Sequence, residues 1–215
     1  IENKNIIVPI FNSSSSEINE KVEESYADYI ITFKDDDIKI SAAVQSNDTH
    51  PLIKELKDNH QAGLILFSSG STGKPKSMLH NLDNLLLSYK RDYTKDINTL
   101  IFMTIDHIGG IDTLFRQISI GGCITIPEER TPEHICRLIE KFKVNVLPVS
   151  PTFLNLLFLS ESYRKYDLSS LEIIGYGAEP ISDMILAKLN TEFPGIKIQQ
   201  KFGTSETNAI RISNL

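Results

Sequence analysis

The sequence has little of the chemistry that several large classes of protein need. Its two cysteines, Cys123 and Cys136, are too far apart for a CxxC site and have no histidine cluster nearby. The formal net charge is -6 and the pI about 5.4, so no overall positive field favours nucleic acid or an acidic membrane. No apolar run is long enough to span a bilayer, and Ile1–Lys4 does not open a signal peptide. These absences predict a cytoplasmic protein with reduced thiols, no nucleic-acid partner and no transmembrane segment.

What the sequence does contain is an alternation of short apolar runs with longer amphipathic ones. With 215 residues, 40% of them hydrophobic, the chain can bury a sizeable core. The alternation is typical of repeated β-α units around a mainly parallel sheet, so the predicted fold class is α/β. Predicted strands are Ile6–Ile10, Tyr29–Phe33, Leu64–Phe67, Thr99–Met103, Cys123–Ile126, Asn145–Val149, Leu171–Ile174 and Lys197–Gln200. Predicted helices are Glu17–Ala27, Leu52–Asn59, Asn81–Tyr93, Ile108–Ser119, Pro132–Phe142, Pro151–Ser160 and Ile181–Phe193.

Two of the predicted helices carry clear start signals. Thr131 precedes Pro132, and Ser150 precedes Pro151. A hydroxyl at the N-cap accepts a backbone N–H, and proline suits the first helical position because it has no N–H to satisfy. By contrast, the polar residues 12–16 and the acidic run 35–37 predict surface loops.

A loop of hydroxyl residues, glycines and lysines follows the predicted strand Leu64–Phe67. Gly70 and Gly73 can adopt positive φ and bring backbone N–H groups close to phosphate oxygens. Lys74 and Lys76 add positive charge. The remaining hydrogen-bond donors of this loop are Ser68, Ser69, Ser71 and Thr72. The pattern predicts a cradle for a polyanion, with a flexible Ser/Gly turn as the alternative.

The glycine spacing distinguishes this loop from a Walker A site. Walker A has the form G-x-x-x-x-G-K-[ST], whereas only Ser71 and Thr72 separate Gly70 from Gly73. Residues 67–76 read FSSGSTGKPK, which resembles the aromatic-[ST]-[ST]-G-[ST]-T-G-x-P-K signature of the acyl-adenylate-forming superfamily. That superfamily includes acyl-CoA synthetases, adenylation domains of nonribosomal peptide synthetases and firefly-type luciferases. The resemblance implies that this loop holds the β- and γ-phosphates of ATP.

Two later segments resemble further motifs of the same family. The turn 175–180 reads GYGAEP, and the resemblance implies that it lies against adenine; a plain strand-to-helix turn is the alternative for its glycines. Residues 202–207 read FGTSET, similar to the family's Tyr-Gly-x-Thr-Glu motif, with an aromatic face for the base and hydroxyls for the α-phosphate. Carboxylate and hydroxyl oxygens suit Mg²⁺, for which the candidate ligands are Glu206 and Ser68. The predicted nucleotide contacts here are Gly177, Ala178, Glu179, Pro180, Phe202, Gly203, Thr204 and Ser205.

A histidine precedes a glycine pair in the segment Asp106–Gly110. The family often has His and Gly here, so the resemblance implies that His107 borders an acyl pocket. A turn or helix-capping role for His107 is the alternative. The candidate catalytic residues are then Lys76, His107 and Glu206.

The resemblance implies ATP-dependent conversion of a carboxylic acid to an acyl-adenylate, followed by transfer to the thiol of CoA or of a carrier-protein phosphopantetheine. It covers nearly all of residues 1–215 as a partial adenylation domain. The family's N-terminal start and small C-terminal domain are expected to be missing, so the isolated polypeptide is expected to be inactive. A noncatalytic nucleotide-binding module and, with less support, a P-loop NTPase remain as alternatives, while an α/β-hydrolase lacks its GxSxG motif.

Overall fold

The computed structural model describes residues 2–11, 13–43, 49–69, 75–177, 179–204 and 208–211. For Ser69, Pro75, residues 201–204 and residues 208–211 the description is limited to the backbone. The chain forms two compact units, Ile1–Ser88 and Tyr89–Leu215.

A three-stranded sheet forms the centre of the first unit. Strand β1 (Ile6–Ile7) pairs in parallel with the central strand of this sheet, Gly63–Ser69. The central strand also pairs with Pro75–Asn81 in an antiparallel hairpin. Leu64, Ile65 and Leu66 are consecutive and all buried. Their burial confirms that this apolar run is a strand covered on both faces.

A second, separate hairpin precedes that sheet in the chain. It follows helix α1 (Ser15–Glu24) and consists of β2 (Tyr29–Lys34) and β3 (Asp37–Ala42). Asp35 takes a left-handed φ of 53°, and Asp37 already pairs with Lys34, so the predicted acidic loop is a tight turn that includes the start of a strand. One face of the hairpin is apolar and exposed, and its antiparallel pairing differs from the mainly parallel sheet to which the sequence assigned Tyr29–Phe33. The members of the apolar face are Tyr29, Ile31, Phe33, Ile38 and Ile40.

The segment after the phosphate motif differs from the sequence prediction. A helix was predicted over Asn81–Tyr93, whereas the structure has the strand β5 (Pro75–Asn81), paired with β4 (Gly63–Ser69), and then the shorter helix α3 (Leu82–Leu87). Asn81 starts α3, since its side-chain oxygen accepts a hydrogen bond from the N–H of Asn84 at 3.0 Å. Helix α2 (Pro51–Asp58) precedes β4 and buries Ile53 and Leu56.

The second unit is built on a six-stranded sheet in the order β11-β10-β9-β8-β6-β7. All neighbouring strands are parallel except β10 and β11, which are antiparallel. The predicted α/β class with a mainly parallel sheet is therefore confirmed. The strands are β6 (Asn98–Leu100), β7 (Cys123–Thr125), β8 (Val146–Val149), β9 (Ile173–Tyr176), β10 (Lys197–Thr204) and β11 (Asn208–Arg211).

Helices connect the parallel strands of this sheet. The helices are α4 (Ile108–Ser119), α5 (Pro132–Phe142), α6 (Pro151–Ser160) and α7 (Asp183–Glu192). Both predicted caps are confirmed: Thr131 Oγ1 accepts from the N–H of His134 at 3.3 Å, and Ser150 Oγ accepts from the N–H of Phe153 at 3.1 Å. Each such cap contributes about 1 kcal/mol to helix stability.

The core of the second unit lies between its sheet and helices α5, α6 and α7. Cys136 belongs to it and is fully buried, and burial, with a smaller contribution from Glu133, raises the pKa of this thiol to about 12. Cys123, in contrast, is exposed on β7. The largest fully buried side chains around Cys136 include Leu100, Ile135, Ile139, Leu147, Leu154, Leu157, Ile174 and Leu189.

The two cysteines are expected to differ sharply in reactivity. At neutral pH a water-soluble disulfide reagent should label Cys123 in the native protein and both thiols after denaturation, because the thiolate is the reactive form. The Cys123→Ser variant should show almost no native labelling. Equal labelling rates for both cysteines in the folded protein would contradict the burial of Cys136.

Helix α4 packs closely against the chain that precedes it. A Cβ atom on Gly110 would lie 2.7 Å from the carbonyl oxygen of Met103 and would overlap the carbonyl of Thr104. Backbone atoms cannot move aside as a flexible side chain can. On Gly109 the nearest atom would be Met103 Cγ at 3.6 Å, an ordinary contact.

We therefore expect Gly110→Ala to lower the free energy of unfolding by roughly 2 kcal/mol or more, as overpacking does. The matched control Gly109→Ala should change it by less than about 1 kcal/mol, because the added methyl meets no backbone and alanine favours helix. Urea denaturation of both variants measures the difference. Equal stability of the two variants would contradict the close approach.

Candidate functional site

The predicted phosphate loop connects the two strands of the β4–β5 hairpin. In the antiparallel register Ser68 lies opposite Lys76, and Ser69 lies opposite Pro75. Directly opposite residues share one face of the pair, with Cβ atoms about 5 Å apart. Ser68 is half-buried and Lys76 is exposed. The hairpin thus brings one predicted hydroxyl donor and the predicted catalytic lysine together at its end.

The residues between these strands lie outside the described residues, so their role stays a prediction. They are Gly70, Ser71, Thr72, Gly73 and Lys74.

Contacts at both ends of β4 fix the hairpin within the first unit. Near the loop, the Lys21 ammonium lies 5.9 Å from the ring centroid of Phe67 and donates a hydrogen bond to Ser13 Oγ at 2.8 Å. At the other end, the Asp83 carboxylate accepts from the N–H of Ala62 at 3.0 Å and from Lys4 Nζ at 3.0 Å. These two bonds hold the pKa of Asp83 below its ordinary value. The strand that carries Ser68 is thereby held at both of its ends.

His107 stands at the N-cap position of α4. Its backbone carbonyl accepts from the N–H groups of Gly110 and Ile111, at 3.0 and 3.1 Å. Its exposed side chain makes no capping hydrogen bond. The hydroxyl of Thr104 meanwhile donates a hydrogen bond to the Asp106 carboxylate. The backbone of His107 therefore has the capping role that the sequence left open, while its imidazole takes no part in the cap.

The predicted adenine turn starts later than the sequence indicated. Gly175 and Tyr176 were predicted to lie in the turn, but they belong to β9, because both pair with β8 on one side and β10 on the other. Of the predicted contacts, Gly177, Glu179 and Pro180 lie at the carboxyl end of β9, and Ala178 lies outside the described residues.

The side chain of Glu179 contacts the neighbouring helix. Glu179 Oε2 accepts from Thr152 Oγ1 at 2.6 Å and from the Thr152 N–H at 3.3 Å. Thr152 lies in the first turn of α6, which follows β8. Sequence reasoning did not single out Thr152, although a hydroxyl residue directly after Ser150 and Pro151 was a signal for it.

The third predicted motif is also partly a strand. The sequence predicted that Phe202 follows a strand ending at Gln200, but β10 continues to Thr204. The continuation is stabilised by antiparallel pairing with β11, which the sequence did not predict. The pairs are Phe202 with Ile210, Gly203 with Ala209 and Thr204 with Asn208, and the predicted residues Ser205 and Glu206 lie outside the described residues.

Comparison with known proteins identifies the family. A family model described as AMP-binding enzyme matches residues 5–214. The chain belongs to the AMP-binding enzyme family. It is 31% identical over 171 residues to 4-coumarate–CoA ligase-like 9 of Arabidopsis thaliana, covering 76% of this chain and 30% of that relative. It is 34% identical over 134 residues to acetyl-coenzyme A synthetase of Pasteurella multocida, covering 55% of this chain and 20% of the relative.

Solved structures show the same fold. A luciferase-like enzyme from the nonluminescent mealworm Zophobas morio matches with a TM-score of 0.57 and 26% identity, over 79% of this chain and 38% of the other. An anthranilate CoA ligase in complex with anthranoyl-AMP matches with a TM-score of 0.61 and 19% identity, over 71% of this chain and 32% of the other. The chain thus spans well under half of the length of these relatives.

The predicted metal ligands of this chain are only partly described. Ser68 is placed on β4, but Glu206 is outside the described residues. Within the ranges that the structure describes, no group of three or more His, Cys, Asp or Glu side chains is close enough to hold a metal ion. None of the helices described there is both long and apolar enough to cross a bilayer.

Helix α4 also contains a partly buried ion pair that sequence reasoning missed. Arg116 Nη2 lies 2.8 Å from Asp112 Oδ1, and the Asp112 side chain is only 4% exposed. The Arg116 guanidinium lies 5.7 Å from the ring centroid of Tyr89, and burial together with Asp112 raises the pKa of that phenol. The available signal was two opposite charges four residues apart in a helix that has no other charged residue. The pair fixes α4, whose first residue follows His107.

Proposed function

We propose that the protein containing this chain uses ATP to activate a carboxylic acid as an acyl-adenylate. The observation that carries the proposal is the β4–β5 hairpin, in which the motif FSSGSTGKPK has Ser68 opposite Lys76. Membership of the AMP-binding enzyme family supports it.

The chemistry explains why this loop needs hydroxyls and lysines. A carboxylate oxygen attacks the α-phosphorus of ATP, a P–O bond to the leaving pyrophosphate breaks, and the acyl-adenylate forms. Nucleophile and phosphates are both anionic, so repulsion opposes their approach. We propose that this negative charge is neutralised by Lys74, by Lys76 and by the hydrogen-bond donors of residues 68–73. Mg²⁺, held by Glu206 and Ser68, would add positive charge at the phosphates.

The acceptor of the acyl group is the next question. Several relatives are named as CoA ligases or synthetases, which favours the thiol of CoA over a carrier-protein phosphopantetheine. We therefore propose an acid-thiol ligase in which a thiolate displaces AMP from the acyl-adenylate. His107, exposed at the start of α4, is proposed to border the acyl pocket.

Replacement of Lys76 tests the phosphate site. In the full natural protein, Lys76→Ala should weaken ATP binding about tenfold or more in calorimetry, because a charged donor to phosphate is lost. Lys39→Ala is the matched control, since Lys39 is also an exposed strand lysine of the first unit. An equal effect of both changes would indicate a general loss of positive charge and contradict the assignment.

The predicted metal ligand can be tested separately. Glu206→Gln should weaken ATP binding in the presence of Mg²⁺ and leave binding in EDTA unchanged, because the substitution removes only a negatively charged oxygen ligand. Equal affinities of the variant and the unmodified protein in excess Mg²⁺ would argue against Glu206 as a ligand.

A turnover assay tests whether residues 1–215 contain all the groups that the reaction needs. The isolated 215-residue polypeptide is expected to show no pyrophosphate exchange with short-chain, aryl or amino acids, since it spans only 30% of a relative such as the Arabidopsis ligase-like protein. The full natural protein should exchange with at least one of them. Rapid exchange by the isolated polypeptide would show that residues 1–215 are sufficient.

A further inference from the structure

We propose that Glu179 is a positioning residue, which fixes the turn after β9 to the start of α6 and does not itself contact the nucleotide. The inference rests on the proposed function, because it concerns the turn assigned to adenine. It also changes the role that sequence alone gave to Glu179, which was direct nucleotide binding.

The contact joins the ends of two neighbouring strands. Val149, the last residue of β8, pairs with Tyr176, the last residue of β9. Thr152 and Glu179 each lie three residues beyond these partners, and their side chains meet at 2.6 Å. The bond therefore links the two segments that follow the carboxyl ends of β8 and β9. It limits where the turn after β9 can lie relative to the helix after β8.

The Glu179 carboxylate also completes the first turn of α6. Pro151 has no N–H, and Ser150 accepts from the N–H groups of Phe153 and Leu154, through Oγ from Phe153 at 3.1 Å and through its carbonyl from Leu154 at 3.1 Å. The remaining N–H in this turn is that of Thr152, which donates to Glu179 at 3.3 Å. A carboxylate is also favoured there by the helix dipole. The start of α6 is thus fully satisfied by groups of the protein.

The Glu179 carboxylate is already engaged by Thr152. Its Oε2 accepts from both the hydroxyl and the N–H of this residue, so the contact that the structure shows for Glu179 is with helix α6. Both residues are exposed, so the bond is screened and contributes little to overall stability. Its effect is expected on the position of the turn, hence on base binding more than on folding.

A double-mutant cycle with Thr152 separates positioning from direct contact. We would measure binding of AMP and of inorganic tripolyphosphate to the full natural protein by calorimetry, for Glu179→Ala, Thr152→Val and the double variant. Glu179→Ala should weaken AMP binding about tenfold and Thr152→Val about threefold, and the double variant should bind no more weakly than Glu179→Ala. Tripolyphosphate affinity should stay within about twofold, because no base is present.

Two further variants complete the test. Glu179→Gln keeps an oxygen acceptor for Thr152 and should retain AMP affinity within about threefold. Glu161→Ala, which removes an exposed glutamate at the opposite end of α6, should have no effect on AMP binding. Thermal unfolding of every variant should occur within a few degrees of the unmodified protein. If Glu179→Ala alone lowers the unfolding temperature strongly, the Gln and Thr152 variants still decide the question.

The outcomes distinguish this inference from the proposed function. Additive effects of Glu179→Ala and Thr152→Val, or a normal affinity in Thr152→Val beside a large loss in Glu179→Ala, would show direct contact and overturn positioning. Failure of the unmodified protein to bind AMP or ATP would instead contradict the proposed function.

Discussion

The parallel pairing of β6, β8, β9 and β10 is the constraint on which the second unit depends. Parallel strands have all their carboxyl ends at one edge, and each return to the opposite edge needs a crossover, which helices α5, α6 and α7 supply. The helices that leave this edge must satisfy their first N–H groups there. Predicted ligand residues and helix caps therefore compete for the same short segments, which is why Glu179 is found in a cap.

In the first unit, the glycine-rich loop is followed by a strand and not by a helix. In a Walker site the strand leads through the loop into a helix, whose dipole favours phosphate. Here β5 follows the loop, and α3 starts only at Leu82. A loop without a following helix has to supply positive charge through side chains, and the motif contains Lys74 and Lys76. The antiparallel register with Ser68 gives Lys76 a defined position without a helix.

The fold class, most elements of the second unit and two helix caps were predictable, because they depend on local periodicity and capping residues. Strands β5 and β11 were missed because each exists through pairing with a partner strand rather than through its own pattern. In β3 the polar/apolar alternation of DIKISA was an available strand signal that was not used. The run KSMLHN within β5, for example, is too polar to indicate a strand by itself. The Glu179–Thr152 bond joins residues 27 apart, and no sequence pattern specifies such a pair.

The start of α4 lacks the side-chain cap of the other helices, and the residue at this position is the predicted site residue His107. Three other helices of the second unit begin with a hydroxyl residue whose side chain accepts a backbone N–H: Thr131, Ser150 and Ser182. Helix α4 begins instead with His107, whose imidazole makes no capping hydrogen bond, and a side-chain cap would contribute about 1 kcal/mol. Proteins accept such losses mainly where a side chain has another use. The partly buried Asp112–Arg116 pair lies in the same helix, five and nine residues after His107. The exposed imidazole is thus held on a well-anchored helix, as a residue bordering a substrate pocket would need to be.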